Sequence, residues 1–185
     1  MGFYLIAVRW SRWRTCAKPP DWVPTDDVPG TIFADFRVDD KGHLSVWWID
    51  DQRSNCDDVV TALAATRDRP DDLTYVLVDE SVFANLGLPI ARSKGRTPSL
   101  KANDYHRDVL DVYGSRLLRI ASAFYHRGTL QRVLEVRVEE LLRSAVVDKR
   151  VDLHKINRIL RQMIEGAGQA RVGWRERLRG WLHWP

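Results

Sequence analysis

The first half of the chain alternates short apolar runs with turn-forming residues, a pattern typical of β-strands. Four runs rich in β-branched and aromatic residues predict strands at 3–8, 31–38, 43–49 and 73–78. The turn residues 39–42 separate the second run from the third, so these two runs should form a hairpin. The run 73–78 is apolar throughout, as expected of an interior strand that is buried on both faces.

Helical spacing interrupts these strands twice. The sequence Ser54-Asn55-Cys56-Asp57 resembles a capping box, and apolar residues follow it at helical spacing to about Thr66. One or two further helical turns should end at Gly87. The first half is therefore predicted to be a small, mostly antiparallel sheet with one or two short helices.

Beyond residue 100 the apolar period changes from two to about three and a half, which predicts helices. A long helix should begin near Asn103 and stop at Gly128, and a second helix, capped by Thr129, should run over 130–145 to complete a helical hairpin. Asp152 should cap a third helix, whose inward residues are Leu153, Ile156, Ile159, Leu160 and Met163. A sheet followed by three helices is an α+β fold.

These patterns divide the chain into an acidic sheet region over 1–100, a basic helical region over 101–166 packed on it, and a tail over 167–185. The tail is a basic amphipathic segment, and the residues of its apolar side are Trp174, Leu178, Trp181 and Leu182. Such a stripe is typical of an anchor for a partner protein or for self-association, and packing against its own domain is the alternative. Residues 16–24, with three prolines, should form an irregular crossing.

Composition limits the class of protein. A chain of 185 residues that is 44% hydrophobic is long enough to bury a core. Cys16 and Cys56 lack the spacing of a zinc site or a disulfide framework, so a reducing, cytoplasmic setting is expected. The run 3–8 lacks the flanking features of a signal peptide, and no stretch approaches the length of a transmembrane segment.

Charge is sorted by position along the chain. Residues 1–20 carry a formal net charge of +4, residues 21–91 carry −10, and residues 92–185 carry +10. This asymmetry indicates either that the basic part meets an outside anion or that the acidic and basic parts face each other, within one molecule or between protomers. The pattern leaves these alternatives open.

A cationic loop is the first candidate for a functional site. The segment 91–101 combines basic side chains, hydroxyl groups and Gly95 ahead of the helix predicted from Asn103, where phosphate would be favoured. Its glycine spacing does not match a Walker A loop. The candidate nucleic-acid contacts are Arg92, Lys94, Arg96, Lys101, His106 and Arg107.

Two aspartates are the second candidate. Asp35 lies in the predicted strand 31–38, and Asp79 ends the run 73–78, so these carboxylates on neighbouring strands could hold Mg²⁺ for phosphodiester cleavage. The order of strand, hairpin, helix and strand over 31–86 resembles the opening of ribonuclease-H-like nucleases. That resemblance implies a helical acidic ligand at Asp57 or Asp58 and a late one at Asp104, Asp108 or Asp111.

Arg119 and His126 form the third candidate, because a separation of seven places them on one helical face. The Arg-x6-His spacing resembles the signature of the helical HEPN ribonucleases, and a solvated helix face is the alternative interpretation. The five histidines show no close metal-ligand spacing, so no metal site is expected.

Three hypotheses for function follow. The leading one is a non-catalytic, nucleic-acid-associated binding subunit of a larger bacterial complex, whose aromatic tail docks a partner. The second is a Mg²⁺-dependent nuclease using Asp35 and Asp79, and Mg²⁺ is the only cofactor that any of the three would require. The third is a structural adaptor in which acidic and basic parts of neighbouring protomers meet.

Overall fold

A computed structural model describes residues 2–13 and 28–166. Six strands of these residues form one sheet: β1 (Phe3–Val8), β2 (Leu44–Ile49), β3 (Leu73–Asp79), β4 (Ile90–Arg92), β5 (His106–Val109) and β6 (Thr129–Val133). The helices are α1 (Trp10–Trp13), α2 (Gly30–Phe33), α3 (Cys56–Ala64), α4 (Glu80–Leu86), α5 (Ser115–Arg127), α6 (Glu135–Val147) and α7 (158–166). Short 3₁₀ helices lie at Ala102–Tyr105 and Leu153–Lys155.

The sheet is antiparallel throughout, and its strands follow the order β4-β5-β2-β1-β3-β6. This arrangement confirms the predicted α+β class with its mostly antiparallel sheet. β3 lies between β1 and β6, and six of its seven residues are buried, so the predicted interior strand is confirmed. Two strands, β5 and β6, come from the sequence beyond residue 100.

Side chains alternate between the two faces of the sheet along each strand. Because apolar side chains lie on both faces, both faces are covered by helices. In β1, Leu5 belongs to the core that α3 and α6 share, whereas Tyr4 and Ile6 belong to the core that α4 and α5 share. The helices α5 and α6 therefore lie on opposite faces of the sheet, with β6 between them in sequence. The predicted helical hairpin is wrong for this reason.

The two short helices of the first half are confirmed. Helix α4 ends at Gly87, which adopts the left-handed conformation with φ of 62°. Helix α3 forms as expected, but the predicted capping box does not. The Asn55 side chain is used to hold the end of β2, where it accepts from the Asp50 N–H (3.0 Å) and donates to the Trp48 carbonyl (3.1 Å).

The first strand of the predicted hairpin is wrong. Residues Gly30–Phe33 form the helical turn α2, and of the run 31–38 only Val38 makes a β-bridge, to Leu44. Ile32 and Phe36 are both buried in the α4–α5 core, and their separation of four residues suits a helical turn as well as it suits an alternating strand. Asp35 therefore lies in the turn after α2 and not on a strand.

The long helix predicted from Asn103 is wrong in its first part and confirmed in its second. Residues His106–Val109 form β5 because they pair with β2 on one side and β4 on the other. Asp111 and Gly114 have positive φ values of 55° and 46°, which a right-handed helix excludes. The helix α5 begins after this break and stops at Gly128 as predicted.

The last two helices begin later than predicted. Thr129 opens β6 and caps no helix; α6 begins at Glu135, whose N–H donates to Asp72 Oδ1 (2.6 Å). Asp152 caps only the 3₁₀ turn, and Asn157 accepts from the Ile159 N–H at the start of α7. In the third helical segment Ile156 and Leu160 are buried as predicted, whereas Ile159 and Met163 are exposed because they lie on the outer face of α7.

Two sequence predictions lie outside the described residues: the irregular crossing 16–24 and the amphipathic tail 167–185. Within the described ranges no helix has both the length and the apolar character needed to cross a membrane.

Candidate functional site

Basic side chains line the edge of the sheet and the loop that follows it. β4 is the outermost strand beside β5. Exposure alternates from this strand into the loop: Arg92, Lys94 and Arg96 are exposed, whereas Gly95 and Thr97 are buried. Three cations at every second position of β4 and this loop are therefore open to solvent.

Arg107 joins these cations from the neighbouring strand, where it lies directly opposite Arg92. Its Nη1 donates to the carbonyl oxygens of Asp104 (2.9 Å) and His106 (2.7 Å). Burial lowers the pKa of Arg107, the charge of Arg92 lowers it further, and the carboxylate of Glu80 partly opposes them. Like charges opposite each other on paired strands are destabilising, and a bound anion relieves that cost. We define the basic edge as Arg92, Lys94, Arg96 and Arg107.

One buried side chain holds the loop that carries Lys94 and Arg96. Asn103 Oδ1 accepts from the Thr97 N–H (3.0 Å) and from the Thr97 hydroxyl (2.8 Å), and its Nδ2 donates to the Thr97 carbonyl (3.0 Å). A Cβ at Gly95 would lie 2.6 Å from Asn103 Oδ1, so glycine is needed for this close approach. The backbone of the basic edge is therefore preorganised, which lowers the entropy cost of binding.

Replacing Asn103 with alanine should lower the free energy of unfolding by about 2–4 kcal/mol, since the buried N–H and carbonyl of Thr97 both lose their partners. Urea denaturation measures this change. Asn85 is exposed, so Asn85→Ala is the matched control and should change stability by less than about 0.5 kcal/mol. Equal stability of the two variants would contradict the role given to Asn103.

Lys101 and His106 lie apart from the basic edge. Lys101 Nζ is 2.8 Å from Asp58 Oδ2, and this carboxylate raises the pKa of Lys101. His106 is opposite Trp47 in the β2–β5 pair and packs edge-on against its ring, so it faces the α3–α6 side of the sheet. Of the six residues predicted to bind nucleic acid, the structure places Arg92 opposite Arg107 on paired strands and carries Lys94 and Arg96 on the loop that follows β4.

His106 belongs to a small polar group that the sequence patterns missed. Its Nδ1 lies 2.7 Å from Ser93 Oγ and 3.9 Å from Asp108 Oδ1, and burial lowers its pKa. A catalytic triad uses both ring nitrogens, one for the serine and the other for the carboxylate, whereas here Ser93 and Asp108 approach the same nitrogen. Residues two apart lie on the same face of a strand. The spacing of His106 and Asp108 therefore indicates that they are neighbours only when residues 106–109 are known to form a strand.

Some acidic side chains of the first part of the chain pair with basic side chains of the second part inside the molecule. Carboxylates of the acidic region pair with cations from beyond residue 100, and these pairs are Asp58–Lys101 (2.8 Å), Asp58–Arg150 (2.9 Å), Asp57–Arg137 (2.8 Å) and Asp72–Arg132. The acidic and basic parts therefore face each other within one chain, one of the alternatives that the sequence left open. The charge asymmetry by itself no longer argues for an outside anion, which leaves the basic edge as the relevant surface.

Asp35 and Asp79 do not come together. Asp35 accepts from the Arg9 N–H (3.1 Å), from Arg12 Nη1 (2.6 Å) and from Trp13 Nε1 (2.9 Å), so its carboxylate joins α1 to the turn after α2. Arg9 follows the last residue of β1, whereas Asp79 is paired with the first residue of β1. The length of this strand separates the two carboxylates by roughly 20 Å, too far for them to share one ion.

Asp79 caps α4, where it accepts from the Ser81 N–H (2.8 Å); hydrogen bonds from Ser81 lower its pKa. Among the described residues there is no group of three or more His, Cys, Asp or Glu side chains that could hold a metal ion.

A cavity of about 1110 Å³ opens where β1 and β2 separate. Pairing joins the two strands over Phe3–Leu5 and Trp47–Ile49; beyond it, Ile6–Val8 pairs with β3 and Leu44–Val46 pairs with β5. Charged side chains of both signs line the cavity: Arg9, Asp35, Arg37, Arg67, Asp68, Arg69 and Asp71. Four guanidinium groups and three carboxylates give no clear preference for a charged ligand of either sign.

The remaining predicted site residues are placed as follows. Arg119 and His126 both lie on α5 and line one small cavity beside α4. The tail residues Trp174, Leu178, Trp181 and Leu182 lie outside the described part of the chain.

Comparison of the chain with models of known protein families, with curated proteins and with solved structures found no match.

Proposed function

We propose that this protein binds nucleic acid through phosphate contacts of the basic edge and serves as a non-catalytic subunit of a larger complex. The observation that carries the proposal is the alternating exposure of Arg92, Lys94 and Arg96 beside Arg107. Within the described residues no carboxylate forms an ion pair with any of these four side chains, in contrast to Lys101, Arg132, Arg137 and Arg150.

The shape of the basic edge supports a polyanion as its ligand. A row of cations on an edge strand and its loop suits successive phosphates of one backbone better than a single small anion. Three of the four side chains are arginines, whose planar fork donates two parallel hydrogen bonds to a phosphate group. These contacts would hold the backbone without reading its sequence.

Within this proposal the tail docks a protein partner in the cytoplasm. The support is the aromatic stripe of Trp174, Leu178, Trp181 and Leu182, since large aromatic side chains are common anchors of interfaces. The cytoplasmic setting is favoured by two cysteines that lack the spacing of a disulfide framework.

The two alternative functions have less support. The nuclease would need Asp35 and Asp79 at one ion, and they lie at opposite ends of β1. The adaptor would need acidic and basic surfaces of different protomers to meet, and the pairs Asp58–Lys101, Asp57–Arg137 and Asp72–Arg132 already form within one chain.

A fluorescence-anisotropy titration tests the proposal with labelled single- and double-stranded DNA and RNA, at about 50 and about 150 mM salt with Mg²⁺ present. We expect binding that weakens with salt, with a log–log slope of roughly −3 to −4 on duplex DNA if all four cations contact phosphates. Probe length is measured afterwards. Absence of binding at the lower salt would overturn the proposal, and a shortened probe would overturn its non-catalytic part.

A further inference from the structure

A small cavity lies between α4 and α5, away from the basic edge. Its volume is about 220 Å³, and its lining residues are Val82, Asn85, Leu86, Arg119, Ser122, Ala123, His126 and Arg127. Pockets that hold whole small molecules usually measure about 300–1,000 Å³. This cavity therefore suits a small ion, or one charged group of a larger molecule.

The lining of this cavity has one sign of charge. The charged residues that line it are Arg119 and Arg127, the uncharged polar ones are Asn85 and Ser122, and no Asp or Glu of the described chain is among them. A guanidinium group has N–H donors and no acceptor, which matches an oxyanion. The cavity thus differs from the one between β1 and β2, where both signs of charge are mixed.

The imidazole of His126 adds an independent observation. Its Nε2 is shielded from solvent and has no hydrogen-bond partner among the residues that the structure describes. A buried polar atom without a partner is uncommon, because its desolvation is not compensated. Nε2 donates to an anion when the ring is an imidazolium or when the neutral tautomer carries its proton there.

We propose that the α4–α5 cavity binds an oxyanion of phosphate type, held by Arg119 and Arg127 with Nε2 of His126 as a further donor. The phosphate is either a free ion or a group of a nucleic-acid backbone, and the two sources share this chemistry. The site contains none of the basic-edge residues. The phosphate titration of this cavity and the nucleic-acid titration of the basic edge can therefore give different results.

The probe is inorganic phosphate, titrated into the full chain at constant ionic strength while the His126 ring is followed by ¹H–¹³C NMR. We expect saturable shifts at His126, and about tenfold or more weaker binding in Arg119→Ala, since one charge-assisted contact is lost. Arg116→Ala is the matched control: it removes the same charge from an exposed position of the same helix that does not line the cavity, and phosphate affinity should not change.

A second variant separates binding from a structural role. His126→Phe keeps an aromatic ring and removes the unpartnered nitrogen, so the variant should fold normally but lose phosphate affinity. Because this variant lacks the reporting imidazole, its phosphate affinity is measured from the backbone ¹H–¹⁵N signals of Ser122 and Ala123, which line the cavity. Unsaturable shifts, an equal loss in Arg116→Ala and Arg119→Ala, or full affinity in His126→Phe would each overturn the proposal.

A parallel titration with a short oligonucleotide that has no terminal phosphate distinguishes the two sources. Shifts at His126 in both titrations indicate that the cavity accepts a phosphodiester, and shifts with inorganic phosphate alone indicate a site for the free ion. Both results support an oxyanion site, and silence in both titrations contradicts it.

Discussion

Replacing Arg92, Lys94 and Arg96 together with alanine should lower nucleic-acid affinity at least tenfold at about 50 mM salt and make the log–log salt slope shallower by roughly 2–3. The reason is counterion release, because each lost phosphate contact removes its share of the salt dependence. The three side chains are exposed, so the variant should fold normally. Fluorescence anisotropy over a series of salt concentrations measures both quantities.

The matched control for this variant replaces Arg116, Lys155 and Arg158 with alanine. These residues are also exposed and carry the same total charge, but they lie outside the basic edge. We expect the control to retain most of the affinity and nearly the full salt slope. An equal loss in both variants would mean that the overall field of the chain attracts the ligand and that the basic edge makes no direct contact.

Phe124→Ala should lower the free energy of unfolding by about 3–5 kcal/mol, the largest effect on stability that we expect here. Phe124 is fully buried, and its ring packs edge-on against Phe36 and Phe83, each with centroids 5.6 Å apart. Truncation leaves a cavity where α5 meets both α4 and the segment after α2. The free energy of unfolding of a domain of this size is about 5–15 kcal/mol, so the loss is a large fraction of the total stability.

Urea unfolding followed by circular dichroism measures this effect. Phe124→Leu keeps most of the volume and should cost less, which preserves the test if the alanine variant does not fold. Val136→Ala is the control, because Val136 is 65% exposed and its truncation should change stability by less than about 0.5 kcal/mol. Similar unfolding midpoints for the variants at Phe124 and Val136 would contradict the central place given to Phe124.

Sequence reasoning succeeded where neighbouring residues carry the whole signal. The interior strand β3 consists of consecutive apolar residues, and Gly87 ends α4 because it adopts a positive φ without steric cost. It failed for β5 and β6, whose residues His106–Val109 and Thr129–Val133 are largely polar. These segments become strands because an adjacent strand offers hydrogen bonds, and that partner is distant in sequence.

The candidate site likewise has features that the sequence indicated and features that only the folded chain decided. The positions of Arg92, Lys94 and Arg96 at every second residue were already visible in the sequence. Of the other candidates that the sequence named, the sheet places Arg107 opposite Arg92, and Asp58 engages Lys101 in an ion pair. Both changes depend on contacts between residues far apart in the chain, which no local pattern encodes.

Local patterns were therefore sufficient for the α+β class and for the short helices α3 and α4, because periodicity and capping act within a few residues. Strand pairing between distant segments determined the features that local patterns did not predict. It placed α5 and α6 on opposite faces, separated Asp35 from Asp79 by the length of β1, and engaged Asp57, Asp58 and Asp72 of the acidic part in ion pairs with the basic part. Such outcomes depend on which distant backbone groups complete their hydrogen bonds with one another.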